Sequence, residues 1–136
     1  RPNLRRIGAM RGDSPDAELS DGVTTESADI VIVKPRYSAL YATALEAQLR
    51  ALGVERVVVG GVTTSMCVET TVRDLSQRDY ETHVIGEACA DFDAERHRAS
   101  LAAIAFGFAP VVDLAEGRRL LGAAPLDTQR GDDAIR

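Results

Sequence analysis

Cys67 is the residue in this sequence best placed to do covalent chemistry. It follows Arg56-Val57-Val58-Val59-Gly60-Gly61, a β-branched run closed by two glycines, and it opens a segment in which Val68, Thr71, Val72 and Leu75 recur at helical spacing. A cysteine on such a strand–turn–helix junction meets the unpaired N–H groups and partial positive charge of a helix start. Both favour a thiolate, the nucleophilic form of the side chain. The same N–H groups can hold an oxyanion during acyl transfer. Equally, a free cysteine suits a small buried packing position, and the residue type alone does not separate the two. Lys34 is the second candidate. It ends the apolar run Asp29-Ile30-Val31-Ile32-Val33 just before Pro35, where an ammonium can face a thiolate or a developing negative charge, or simply snorkel to solvent.

The remaining polar residues carry weaker signals. Cys89 follows a third strand with no helix start at it and reads as structural. His83 alternates with apolar neighbours, and His97 lies on an apolar helix face. The two are 14 positions apart and make no metal signature. Asp91 and Asp93 follow the third strand, and one of them caps a helix. Thr63, Thr64 and Ser65 can line a pocket or satisfy turn hydrogen bonds. Gly60-Gly61 lacks both the GxGxxG continuation and a P-loop lysine. No metal and no cofactor is assigned.

These residues need a scaffold, and the chain supplies its pattern. Strands are expected over 29–34, 56–60, 82–86 and 109–112, the last an edge strand because it contains Pro110. Helices are expected from Ser38 to a stop at Gly53, with Leu40, Ala44, Leu45, Leu49 and Leu52 on one face. Others are expected around 68–75, and from an Asp93 cap through His97, Leu101, Ile104, Ala105 and Phe108. Alternating strands and helices with near-continuous Val/Ile strands predict parallel α/β units covered on both faces. In such sheets ligands bind at the carboxyl ends of the strands, where Lys34 and Cys67 both stand. One domain is expected over residues 1–136. Residues 1–28 read as loop, and about 122–136 as a flexible tail.

The bulk properties narrow the function class. The 136 residues carry 16 basic and 21 acidic side chains, a net charge of −5, against a general nucleic-acid binder. No apolar run approaches a membrane span. No Trp and 4% aromatics speak against a base-stacking platform. Two cysteines suit a reducing, cytoplasmic setting better than a disulfide scaffold. They lie 22 positions apart without a CxxC pair, so a redox role ranks last.

From Val31 to about Val112 the chain resembles the isochorismatase-like cysteine hydrolases. This superfamily includes nicotinamidases, N-carbamoylsarcosine amidases, ureidoacrylate amidohydrolases and biuret hydrolases. The motifs are Val33-Lys34-Pro35-Arg36-Tyr37-Ser38-Ala39-Leu40 and Gly60-Gly61-Val62-Thr63-Thr64-Ser65-Met66-Cys67-Val68-Glu69-Thr70-Thr71-Val72-Arg73-Asp74, with Gly86-Glu87-Ala88-Cys89-Ala90 and Phe106-Gly107-Phe108 downstream. The resemblance implies a three-layer α-β-α fold around a mostly parallel, Rossmann-like sheet. It also implies an Asp-Lys-Cys triad in which Lys34 and Cys67 hold the last two places, and a cis peptide at Val62–Thr63. The N–H groups of Thr63 and Cys67 would form the oxyanion hole, and Arg36, Tyr37 and Thr64 would contact a small polar substrate. The implied activity is hydrolysis of an amide or ureido C–N bond through an acyl-enzyme on the cysteine, in an enzyme that assembles as a homodimer or homotetramer. The cysteine argues against the vinyl-ether-cleaving members.

The family's aspartate ends an N-terminal strand. No apolar run of that kind precedes the lysine strand here, and Asp13 and Asp16 sit in a loop-like stretch. The expected domain is therefore N-terminally incomplete, without that strand. The competing reading is an inactive scaffold or fragment that lacks the aspartate.

Overall fold

The computed structural model describes residues 18–20 and 22–122; the expected flexible tail, from residue 123 on, and most of the expected N-terminal loop lie outside them. The chain divides into two compact units, residues 1–31 and 32–136. The described part of the first unit is a run of turns. The Val23 amide donates to the Ser20 carbonyl at 2.8 Å, and Glu26 and Asp29 close a turn through the Asp29 amide and the Asp29 carboxylate.

In the second unit, α1 (Leu45–Ala51) is followed by β1 (Arg56–Val62), a π-helical turn (Thr64–Val68) and α2 (Glu69–Ser76). Then come β2 (Glu81–Ala90), α3 (Ala94–Gly107), β3 (Val111–Val112) and α4 (Leu114–Leu120). The three strands form one parallel sheet in the order β1-β2-β3. Alternate residues of β2 face opposite ways. Val84 packs with Val68, Val72, Ile104 and Ala109 in a core shared with α2 and α3. Its neighbour Ile85 meets Gly117 of α4 instead. The sheet therefore has helices on both faces, the expected layered α/β arrangement. Among the described residues, no helix is long and apolar enough to cross a membrane.

Two expectations need correction. Residues 29–34 do not form a strand. They lie in no ladder, and Val33 is 86% exposed. A strand is stable only when its N–H and C=O groups pair with a neighbour, and β1 has no strand on its outer side among the described residues. The helix expected from Ser38 begins only at Leu45. Ala42 takes a left-handed conformation at φ 53°, which interrupts helical geometry, and Leu40 is buried from the loop instead. Gly53, at φ 65°, ends α1 as expected. Leu101 and Ile104 of α3, with Phe108 just after it, pack on the core as their helical spacing predicts. Ala105 and Phe106 of the same helix are exposed.

Helix α4 was not anticipated, although its signal is in the sequence. Asp113-Leu114-Ala115-Glu116 places an Asp cap three residues before a Glu. The Asp113 carboxylate accepts from the Glu116 amide at 2.8 Å, and Glu87 of β2 accepts from the Leu114 amide. The Asp93 cap of α3 forms as expected, accepting from the Arg96 amide at 2.8 Å.

Strand β2 outruns its expected end because it is irregular. Val59 pairs with Val84, but Gly61 pairs with Cys89, so Gly60 alone lies opposite residues 85–88. A β-carbon on Gly60 would stand 3.0 Å from that of Ala88, so only glycine passes here without displacing the bulge. Beyond the bulge, β2 runs on beside Val62 and delivers Asp91 to the turn that carries Cys67.

The Gly117–Ile85 contact yields a stability test. A methyl at Gly117 would overlap the Ile85 side chain and push α4 off the sheet. Gly117→Ala is expected to cost about 1–3 kcal/mol in chemical denaturation through overpacking, despite alanine's better helix propensity. Gly107→Ala, whose β-carbon meets nothing within 4 Å, is expected to be neutral or stabilising.

Candidate active site

Lys34 and Cys67 meet. The Lys34 ammonium donates to the Cys67 sulfur at 3.3 Å and to the carbonyls of Arg36 at 2.9 Å and Tyr37 at 3.1 Å. An ammonium has three N–H bonds, and all three are directed. The lysine is thus held at the cysteine and does not snorkel away from it. A cation donating to sulfur is the counter-charge a thiolate requires.

The loop that presents Lys34 is fixed to the helix that follows Cys67. Ser38 is buried and donates to the Asp74 carboxylate. The Ala39 amide donates to the Thr71 hydroxyl at 3.0 Å, and Thr71 donates to the Cys67 carbonyl at 2.6 Å. Asp74 also receives Arg78, and Arg78 reaches Glu46 of α1. Ser38, Thr71 and Asp74 thereby set the distance between two side chains 33 positions apart. None of them carried a sequence signal for that role, because each is an ordinary turn or helix residue until the loop folds over.

Cys67 stands in the π-helical turn. The Thr63 carbonyl accepts from the amides of Met66 and Val68, each at 3.2 Å. The Ser65 amide turns aside to the Asp91 carboxylate at 2.6 Å, and Asp91 also accepts from the Phe92 amide at 2.8 Å. Burial works against the charge on Asp91. The hydrogen bonds from Ser65 and Phe92 and the nearby Arg96 outweigh it and hold the carboxyl below its usual range. Asp91 is therefore an anion that anchors the start of the turn.

The other expected site residues fall as follows. Thr63 joins β1 to the turn, and the Val62–Thr63 peptide is cis. Arg36 is exposed and donates to the Pro35 carbonyl at 2.8 Å. Tyr37 is half-buried, its carbonyl given to Lys34. Thr64 does not fit its expected contact with substrate. It is fully buried, and its hydroxyl lies 2.9 Å from His97 Nδ1, so it offers no surface to a ligand. His97 is a hydrogen-bonded helix residue for the same reason. Cys89 packs against the core, where burial pushes its thiol up despite a backbone hydrogen bond with Gly61. His83 is remote in role, its buried Nδ1 without a partner. Among the described residues, no group of three or more His, Cys, Asp or Glu could hold a metal ion.

Comparison with known proteins gives the chain a family. Residues 3–116 match the isochorismatase domain family. The chain is 44% identical over 108 residues to a ureidoacrylate amidohydrolase of Methylobacterium radiotolerans, covering 79% of this chain and 42% of that protein. It is 40% identical over 93 residues to nicotinamidase 3 of Arabidopsis thaliana, covering 68% of this chain and 47% of that one. The chain thus spans under half the length of these two relatives. A cysteine hydrolase structure from Pseudomonas syringae pv. phaseolicola superposes with a TM-score of 0.79 at 32% identity, over 90% of this chain and 62% of that chain. A match that runs through both Lys34 and Cys67 and spans most of the sequence has one meaning: the chain belongs to the isochorismatase domain family.

Proposed function

We propose that this protein is a cysteine-dependent hydrolase of an amide or ureido C–N bond in a small molecule. The observation that carries the reading is the Lys34 ammonium 3.3 Å from the Cys67 sulfur at the carboxyl end of a parallel strand. The names of its relatives, a ureidoacrylate amidohydrolase and a nicotinamidase, support the C–N bond as target.

The Cys67 thiolate adds to the carbonyl or ureido carbon, with the Lys34 ammonium beside it as counter-charge. Negative charge moves to the substrate oxygen, which the N–H groups of Thr63 and Cys67 are assigned to receive. The ammonia or amine leaves with a proton, and a thioester-type acyl-enzyme remains. Water then adds to the acyl carbon, the acid departs, and the thiolate is restored. The family assigns the proton transfers to an aspartate, whose motif no residue of the 136 carries. Arg36 and Tyr37, on the loop that holds Lys34, are the proposed contacts for a small polar substrate. Self-association into a dimer or tetramer and a cytoplasmic setting belong to the same reading, the latter supported by two unpaired cysteines.

Two tests follow. Cys67→Ala should reduce ammonia release from ureido and carboxamide substrates by about 10³-fold or more, since it removes the nucleophile. Lys34→Met should lower kcat by about 10²-fold or more and leave KM within a few-fold, since the ammonium supports the thiolate and not ground-state binding. Full turnover in Cys67→Ala would rule the mechanism out. Iodoacetamide at pH 6 should label Cys67 before Cys89. Burial raises Cys89, so that thiol stays protonated at pH 6 and gains thiolate only as the pH climbs above the ordinary cysteine range. Peptide mass mapping reads the order.

A further inference from the structure

A five-residue π-helical turn is wider than an α-turn, and its hydrogen bonds are less well supported by their neighbours. The turn from Thr64 to Val68 also has its Ser65 amide diverted to Asp91. Cys67 nevertheless has to stay within reach of Lys34. Something beyond the backbone must hold the turn's shape.

The holding groups are on α3. Its first two turns present His97 and Ser100, three residues apart and so on one face. His97 Nδ1 lies 2.9 Å from the hydroxyl of Thr64, the first residue of the turn. The Ser100 hydroxyl donates to Glu69 Oε2 at 2.5 Å, immediately after the last residue of the turn, with the Thr64 carbonyl 3.2 Å away as a second acceptor. Glu69 is held from its other side. Its Oε1 receives Arg73 Nη2 at 2.7 Å and Nε at 3.0 Å, and the Arg73 guanidinium lies 3.9 Å from the centroid of the Phe108 ring at the end of α3. Thr64 and Ser100 are both buried, so these bonds do not exchange freely with water. Both ends of the cysteine turn are thus fastened to one helix, and Cys67 sits between the two fastenings.

We propose that His97 and Ser100 are positioning residues for the nucleophile: through Thr64 and Glu69 they clamp the turn that holds the Cys67 sulfur against the Lys34 ammonium. Ser100 is buried, and the polar atoms through which both act are taken up by Thr64 and Glu69. The proposal rests on Cys67 as the nucleophile, and its test keeps the two ideas apart.

The variants are Ser100→Ala, His97→Leu, and His97→Asn, whose side-chain amide can occupy the place of Nδ1. Folding is checked by circular dichroism and thermal unfolding. The readout is the iodoacetamide labelling rate of Cys67 at pH 6 divided by that at pH 9, which a purely structural loss of stability would not move in a folded variant. Ser100→Ala and His97→Leu should lower this ratio about tenfold, as the sulfur drifts from its counter-charge, while His97→Asn restores most of it. Cys89 labelling should be unchanged. An unaltered ratio in folded Ser100→Ala and His97→Leu overturns the clamp. If Cys67 of the unsubstituted protein labels like an ordinary thiol, the nucleophile reading falls instead. The clamp is then judged by amide hydrogen exchange across 65–69. Exchange there should quicken about tenfold or more in Ser100→Ala if the clamp exists, and equal protection overturns it.

Discussion

The Lys34 ammonium has three N–H bonds and three acceptors, and the rest of the site follows from satisfying them together. Two acceptors are carbonyls of its own loop, at Arg36 and Tyr37, which curl that loop around the nitrogen. The third is the Cys67 sulfur, on a different element. A point charge with its own loop wrapped around it cannot relocate without leaving two carbonyls unpaired. The lysine is therefore as fixed as the loop is, and the loop is fixed by Ser38, Ala39, Thr71 and Asp74.

These ties set geometry more than they add stability. The ion pairs that extend them outward, Asp74–Arg78–Glu46–Arg50, have side chains that remain about a third exposed or more at most positions, and exposed pairs of this kind contribute little each. The apolar contribution comes from Val68, Val72, Val84 and Ile104, fully or nearly fully buried where α2 and α3 meet the sheet. The turn bearing Cys67 runs directly into that core, with Val68 as its last residue. Its reactive side chain and its anchoring side chain are thus adjacent. That arrangement lets a half-buried cysteine be held by a close-packed interior.

The bulge in β2 has a similar logic. A regular strand paired to Gly61 would have ended three residues sooner and placed a different residue beside Ser65. The extra residues reach Asp91 to the turn and turn Glu87 toward the first amide of α4. One irregularity supplies two carboxylates to two helical N-termini on different elements, each meeting an amide that helix geometry leaves unpaired.

The sequence by itself determined the alternation of strands and helices from residue 45 on, the Asp93 cap, the Gly53 stop and the position of Cys67 just after the end of a strand. Each of those rests on a local rule: side-chain periodicity, a side chain capping its own helix, a glycine taking a positive φ. The D-L-A-E cap of α4 was equally local and equally readable. Tertiary structure decided what local rules cannot reach. Residues 29–34 have a strand's composition but no ladder partner, and hydrogen bonding to a neighbour, not composition, makes a strand. Thr64 looked like a pocket residue until α3 brought His97 and Ser100 over it and buried it. Ser38, Thr71, Asp74, Glu69 and Ser100 became parts of the site only when segments 31 to 36 positions apart met. A hydrogen bond between distant segments has no signature in either segment alone, because the donor and the acceptor are each common residues until the fold puts them within 3 Å.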